Sequence, residues 1–240
     1  MLDGGSDLMS NPAIPDDMKI SVGEGERRLP VYLLIDVSLS MQGAPIEAVR
    51  RGLEQFKLDV QSDTFAMETV SLGIITFGGR AEFITKGLIT FDQFVPPQIG
   101  ASGQTPLGQA LWLLIESLDK DLRRPVRGGA KGDWRPLVFI LTDGEPTDEW
   151  KEAKTKIQQR ENAKICKVIT VGCGPYINQQ NLREIAIGDT FNMDNDDASF
   201  RKFFEWVSSV VKSDVKSCSQ TGRAVEQHIP PPADFIQPTF

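Results

Sequence analysis

The sequence predicts an α/β domain: a three-layer sandwich around a mostly parallel sheet with one antiparallel edge strand. Three observations predict it. Short continuous apolar runs such as Val31–Ile35 and LVFIL recur along the chain, as strands buried on both faces require. Segments with helical apolar spacing separate these runs, and such alternation builds parallel sheets covered by helices on both sides. One pair of strand-like runs is instead joined by Gly78-Gly79, which reads as a hairpin.

Residues 1–28 are rich in Gly, Asp, Pro and Ser and read as a flexible N-terminal arm. The first strand lies in LPVYLLID, and a polar turn runs from Asp36 to Gly43. A helix follows, with Pro45 near its first position and Ile46, Val49, Leu53, Phe56 and Val60 on its inner face. TVSLGIITF is the second strand, and AEFITKGLITF reads as one antiparallel strand at the edge. A Pro- and Gly-containing loop leads to a helix with Leu107, Ala110, Leu111, Leu114 and Leu118 on one side.

The basic loop RRPVRGGAKGDWR comes next, then the most apolar strand, PLVFILTDG. A charged helix is expected over roughly 147–161, a strand in KICKVITVGCG, a short helix around 179–186 and a weak strand in DTFNMD. The last helix begins near Ser199. From residue 213 the chain turns polar and then proline-rich, so 29–212 reads as the folded domain and 213–240 as a flexible tail.

Composition excludes several classes. The 240 residues carry a formal net charge of -7, which argues against a nucleic-acid module. No apolar run approaches the ~18 residues of a membrane span, and the N-terminus lacks the pattern of a secretory signal. Three cysteines do not make a disulfide framework, and the expected compartment is the reducing cytoplasm. The single histidine, His228, lies in the proline-rich tail, so a histidine-dependent triad inside the domain is excluded.

Three loops at the carboxyl ends of the predicted strands carry oxygen ligands. They are Asp36-Val37-Ser38-Leu39-Ser40, Gly103-Gln104-Thr105-Pro106 and Thr142-Asp143-Gly144. Open α/β sheets bind ligands at that end, where the strand order reverses. Hydroxyls and carboxylates suit a hard cation: Mg²⁺ takes about six oxygens at roughly 2.0–2.1 Å. A Mg²⁺ held by neutral hydroxyls keeps much of its charge and seeks an anionic oxygen from a partner. Each residue also has a plainer role. Thr105 before Pro106 suits a helix N-cap, Ser38 and Ser40 suit loop hydrogen bonds, and Asp143-Gly144 is a common turn.

DVSLS, GQTPLGQAL and LVFILTDGEPTDEW, in that order, resemble the three-part metal-ion-dependent adhesion site (MIDAS) of von Willebrand factor A domains. The resemblance covers roughly residues 29–212 and implies their Rossmann-like fold. It places hydroxyl ligands on Ser38, Ser40 and Thr105, and carboxylates, often acting through water, on Asp36 and Asp143. It implies Mg²⁺, with Mn²⁺ or Ca²⁺ as substitutes, and binding of a protein partner's Asp or Glu. The residue between the serines is commonly Gly in that family and is Leu39 here.

RRLPVYLLIDVSLSMQGAPIEAVRRGL and KGDWRPLVFILTDGEPTDEW are similar, more narrowly, to TerY-type proteins of bacterial tellurium-resistance and stress or defence gene clusters. That resemblance implies a non-catalytic scaffold. It also implies a Ser/Thr kinase-like protein or a PPM-type phosphatase as partner. The alternatives are a Mg²⁺-dependent phosphohydrolase and a structural domain with an empty metal site. A phosphohydrolase of the haloacid-dehalogenase kind would want an Asp two residues after Asp36, where this chain has Ser38.

Overall fold

The computed structural model describes residues 27–129, 131–174, 179–221 and 229–238. Most of the expected arm, 1–26, and His228 lie outside the described residues.

Seven strands form one sheet: β1 Leu29–Asp36, β2 Val70–Gly78, β3 Arg80–Phe83, β4 Ile89–Thr90, β5 Leu137–Thr142, β6 Lys167–Cys173 and β7 Asp189–Met193. The order is β3-β2-β1-β5-β6-β7, with β4 also paired to β2. Strands β2, β1, β5, β6 and β7 run parallel, whereas β3 and β4 pair antiparallel to β2. Every residue of β1 and β5 is buried, as their unbroken apolar runs require.

Helices α1 Ala44–Gln61, α2 Thr64–Thr69 and α6 Asp197–Thr221 pack on one face. Helices α3 Leu107–Lys120, α4 Lys151–Asn162 and α5 Gln179–Ile185 pack on the other. The core is thus divided by the sheet. Val49, Leu53, Phe56, Phe200 and Phe204 line one half, and Leu111, Leu114, Ile157 and Leu182 line the other. Full burial of each such side chain is worth about 1.5–3 kcal/mol relative to exposure.

The structure departs from the sequence reading in four places. The edge strand is broken in two, because Lys86 and Gly87 adopt positive φ. Thr85 bridges the break: its hydroxyl accepts the N–H of Ile74 and donates to the carbonyl of Gly87. Helix α2 has no counterpart in the sequence reading. Its start is fixed by Asp63, whose side chain accepts the N–H of Ala66 at 3.0 Å. Helix α4 starts at Lys151, not near 147, because residues 147 and 148 bond to the α3 end instead.

The fourth departure is at the C-terminal side. Helix α6 does not stop where polar residues become frequent. Val211, Asp214, Val215 and Cys218 stay buried at helical spacing, and the intervening Ser and Lys residues form the outer side. Residues 229–238 return to the sheet. Asn192 of β7 and Ile236 exchange two backbone hydrogen bonds of 2.8 Å each. Phe235 packs edge-on against Trp206, Trp206 Nε1 donates to the carbonyl of Ile229, and Lys202 pairs with Asp234 at 2.6 Å.

Candidate metal centre

Strand order reverses direction at β1 and β5. β1 leads by way of α1 to β2 on one side, and β5 is its neighbour on the other. The crevice outside their carboxyl ends is where such sheets place ligands. Asp36 ends β1, Thr142 ends β5, and Asp143 follows directly.

The five residues expected at the site lie on three loops that bond to one another. Ser38 Oγ and Ser40 Oγ share a hydrogen bond of 2.9 Å, and Ser40 Oγ donates to Asp143 Oδ1 at 2.7 Å. Asp36 Oδ1 accepts the backbone N–H of Ser38 at 2.9 Å, and Asp36 Oδ2 accepts the Thr142 hydroxyl at 2.6 Å. The Leu39 N–H donates to the carbonyl of Gly103 at 3.0 Å, which joins the first loop to the second. Gly144 lies between the other two loops: a Cβ there would stand 3.6 Å from Thr105 Oγ1 and 4.0 Å from Ser40 Oγ.

The loop crossing depends on glycine. Gly103 has φ +67, and a Cβ on it would stand 2.4 Å from the Cα of Gly79, the positive-φ residue of the β2–β3 hairpin. Leu39 needs no such freedom. It opens a 3-10 turn, Leu39–Met41, and is not among the positive-φ residues, so a side chain between the two serines carries no backbone strain. That side chain is 58% exposed, beside the site.

Thr105 does not cap α3. The N–H groups of Gly108 and Gln109 are instead accepted by the two carboxylate oxygens of Asp148, at 2.9 Å each. Thr147 completes the connection: its hydroxyl accepts the Thr105 N–H at 3.1 Å, and its own N–H donates to the Thr105 carbonyl at 2.9 Å. The Thr105 backbone is thereby fixed, and its buried hydroxyl is not engaged as a cap. Gly108 allows the approach, since a Cβ there would stand 2.6 Å from the carbonyl of Glu149. Thr147 and Asp148 were missed in the sequence because a helix was expected to begin there. An Asp before a late helix start was the available signal.

Electrostatics single out this crevice. Asp36, Ser38, Thr105 and Asp143 are all buried, while Ser40 is exposed. Burial, and next the charge of Asp36, push the Asp143 carboxyl up from 3.8 to about 6. Asp36 is raised as well, chiefly by burial. Asp143 Oδ2 is buried and has no hydrogen-bond partner. A buried carboxylate oxygen with no donor is costly unless a positive charge or a water meets it. Among the described residues no group of three or more His, Cys, Asp or Glu side chains could hold a metal, so any ion here would rely on hydroxyls. Two carboxylates with three hydroxyls are hard oxygen donors, and they fit a small divalent cation.

Fold and site together define a class: an α/β domain with a hydroxyl-and-carboxylate cradle at the switch point of its sheet. The sequence profile of the von Willebrand factor type A domain matches residues 31–206. The chain belongs to the von Willebrand factor type A domain family.

Solved structures share the fold. A von Willebrand factor type A protein from Catenulispora acidiphila is 16% identical, with a TM-score of 0.57 over 78% of this chain and 43% of that one. The PilB minor pilin of Streptococcus sanguinis is 12% identical, with a TM-score of 0.56 over 80% of this chain and 63% of that one. Proximal thread matrix protein 1 of the mussel byssus, with a zinc-occupied MIDAS motif, is 17% identical, with a TM-score of 0.52 over 76% and 45%. This chain spans less than half the length of the first and third, and under two-thirds of the second. No curated protein matches the sequence. Among the described residues no helix is long and apolar enough to cross a membrane.

Proposed function

We propose that this chain is a non-catalytic interaction domain that binds a protein partner through a divalent cation. Mg²⁺ is the ion the donor set suits best. Ser38, Ser40 and Thr105 would supply hydroxyl oxygens, and Asp36 and Asp143 would balance charge and orient water. The cation would keep enough positive charge to take an Asp or Glu carboxylate from the partner.

The observation that carries this reading is the buried, unpartnered Asp143 Oδ2 beside the linked hydroxyls of Ser38 and Ser40. The zinc-occupied MIDAS motif of the mussel protein supports a metal at the corresponding place. A non-catalytic role is supported by Asp36. It is buried, and both of its oxygens already accept hydrogen bonds, so it is not presented as a nucleophile. The narrower assignment rests on the sequence resemblance alone: a cytoplasmic TerY-type scaffold of a bacterial tellurium-resistance, stress or defence system. Its partner would be a kinase-like protein or a PPM-type phosphatase.

The test has two parts. Calorimetry with Mg²⁺ and Mn²⁺ should show binding to the wild type and large losses in Asp36→Ala, Thr105→Ala and Ser38→Ala/Ser40→Ala. Pull-downs from native lysate with the same proteins should capture a partner only with wild type in Mg²⁺. Equal capture in EDTA would overturn the cation-dependent reading.

A further inference from the structure

At the opposite end of the sheet, below the amino ends of β1, β5 and β6, lies a groove of about 670 Å³. Its walls are the last turn of α3, residues 122–125 and 133–136 of the following loop, and the end of α4 with residues 164–165. β5 is six residues long, so at ~3.3 Å per residue the groove lies ~20 Å from the candidate metal centre.

Five cationic side chains line the groove, and the two acidic ones are already matched. Asp119 receives Arg160 Nη2 on both oxygens, at 3.0 and 2.8 Å. Asp133 receives Arg28 on both oxygens, at 3.0 and 2.7 Å, and also the N–H of Arg123. Arg135 faces Glu161 at 3.6 Å and donates to the carbonyl of Cys166. Arg123, Arg124 and Lys164 are exposed and have no ion pair among the described residues. Arg127 and Lys131, on the same loop, have none either.

The surplus charge here is therefore wholly positive, on a chain whose net charge is -7. Cations beyond a helix C-terminus complement its dipole, which accounts for Arg160 and Lys164. Arg123 and Arg124 stand likewise just beyond the end of α3, so the dipoles of two helices meet at this groove, and Arg127 and Lys131 are left without that explanation. The lining also offers an exposed apolar side chain: Ile165 is 49% exposed.

We propose that this groove is a second docking face, which takes a short acidic segment of a protein partner with an apolar residue next to its carboxylates. Charge complementarity selects the acid, and Ile165 gives the apolar residue a contact. A long polyanion such as nucleic acid fits less well, because beyond the groove it meets an acidic protein. The proposal does not depend on the metal reading. Together the two faces would let one domain hold two acidic partners at opposite ends.

The test is selection of a random peptide library on the immobilised full chain in EDTA, with counter-selection on Arg123→Glu/Arg124→Glu. Both arginines are exposed and without ion pairs, so circular dichroism and melting should match wild type. Lys164→Glu is a second variant from a different wall. Selected peptides should carry clustered Asp or Glu beside an apolar residue. By fluorescence anisotropy they should bind at least about tenfold tighter than their Asn/Gln counterparts, and more weakly as salt rises. Affinity should be unchanged by Mg²⁺ and by Ser38→Ala/Ser40→Ala, and lost in both charge-reversal proteins. Peptides that bind wild type and charge-reversed protein equally would overturn the proposal. So would equal binding of a single-stranded DNA of the same charge, or self-association that charge reversal abolishes, which would assign the groove to a second copy.

Discussion

Thr142, the last residue of β5, donates its hydroxyl to Asp36 Oδ2 at 2.6 Å, and Asp36 is the last residue of β1. The two neighbouring strands at the switch point are thus joined through side chains as well as backbone. Thr142→Val keeps the shape and removes the donor, leaving a buried carboxylate oxygen unsatisfied. Urea denaturation should show a loss of about 1–3 kcal/mol. Thr142→Ser, which keeps the hydroxyl, should recover most of it.

Asp148 ties the third loop to the start of α3. Asp148→Ala should cost about 0.5–2 kcal/mol in thermal or chemical unfolding, the usual range for losing a helix cap. Thr105 sits between this contact and the Thr147 pair, so cation affinity measured by calorimetry should fall too. Asp148→Asn should retain part of both.

The pH dependence of the cation-free protein follows from Asp143. Its carboxyl is raised from 3.8 to about 6, so between those values the folded state holds a proton that the unfolded state has released. The stability contributed by this proton is complete below the unfolded value and is lost as pH rises through about 6. Asp36, also raised, acts in the same direction. Melting temperatures in EDTA across about pH 4.5–7.5 should therefore fall more steeply for wild type than for Asp143→Asn. Cation affinity should move oppositely, weakening as acid protonates the same carboxyl.

The three cysteines should be inert in the native protein. All are buried, and burial pushes the Cys166 and Cys218 thiols up to about 12 and that of Cys173 well above its ordinary value. Ellman's reagent near pH 8 should label none of them natively and all three in denaturant.

The meeting of the three loops was legible because the candidate residues stand at fixed places in the chain, at the ends of apolar runs. A strand ending in Asp36, then Ser38 and Ser40, announces itself in the chain. So does Asp143 at the end of the most apolar run. The sheet was legible for a related reason, since strands buried on both faces are mostly apolar, with only small hydroxyl residues such as Ser71, Thr76 and Thr170 between. What stayed hidden depends on who meets whom across long distances. Asp148 looks like the start of its own helix until α3 is placed beside it. The polar residues after 212 look unstructured until Asp214, Val215 and Cys218 are seen facing inward. Thr85 reads as one more strand residue until its hydroxyl is found replacing the ladder carbonyl opposite Ile74.

The return of residues 229–238 bears on how the β7 margin of the sheet is closed to further strands. A parallel sheet ends in a row of unpaired amide and carbonyl groups, which can recruit a strand from another molecule. At the β7 margin, the N–H and C=O of Asn192 are already taken by Ile236, with Phe235 anchored on Trp206 behind it. The opposite margin is guarded differently, by the short β3 with outward Arg80 and Glu82. Releasing the 229–238 segment would therefore uncover the less charged of the two borders and leave β7 open to edge-to-edge assembly.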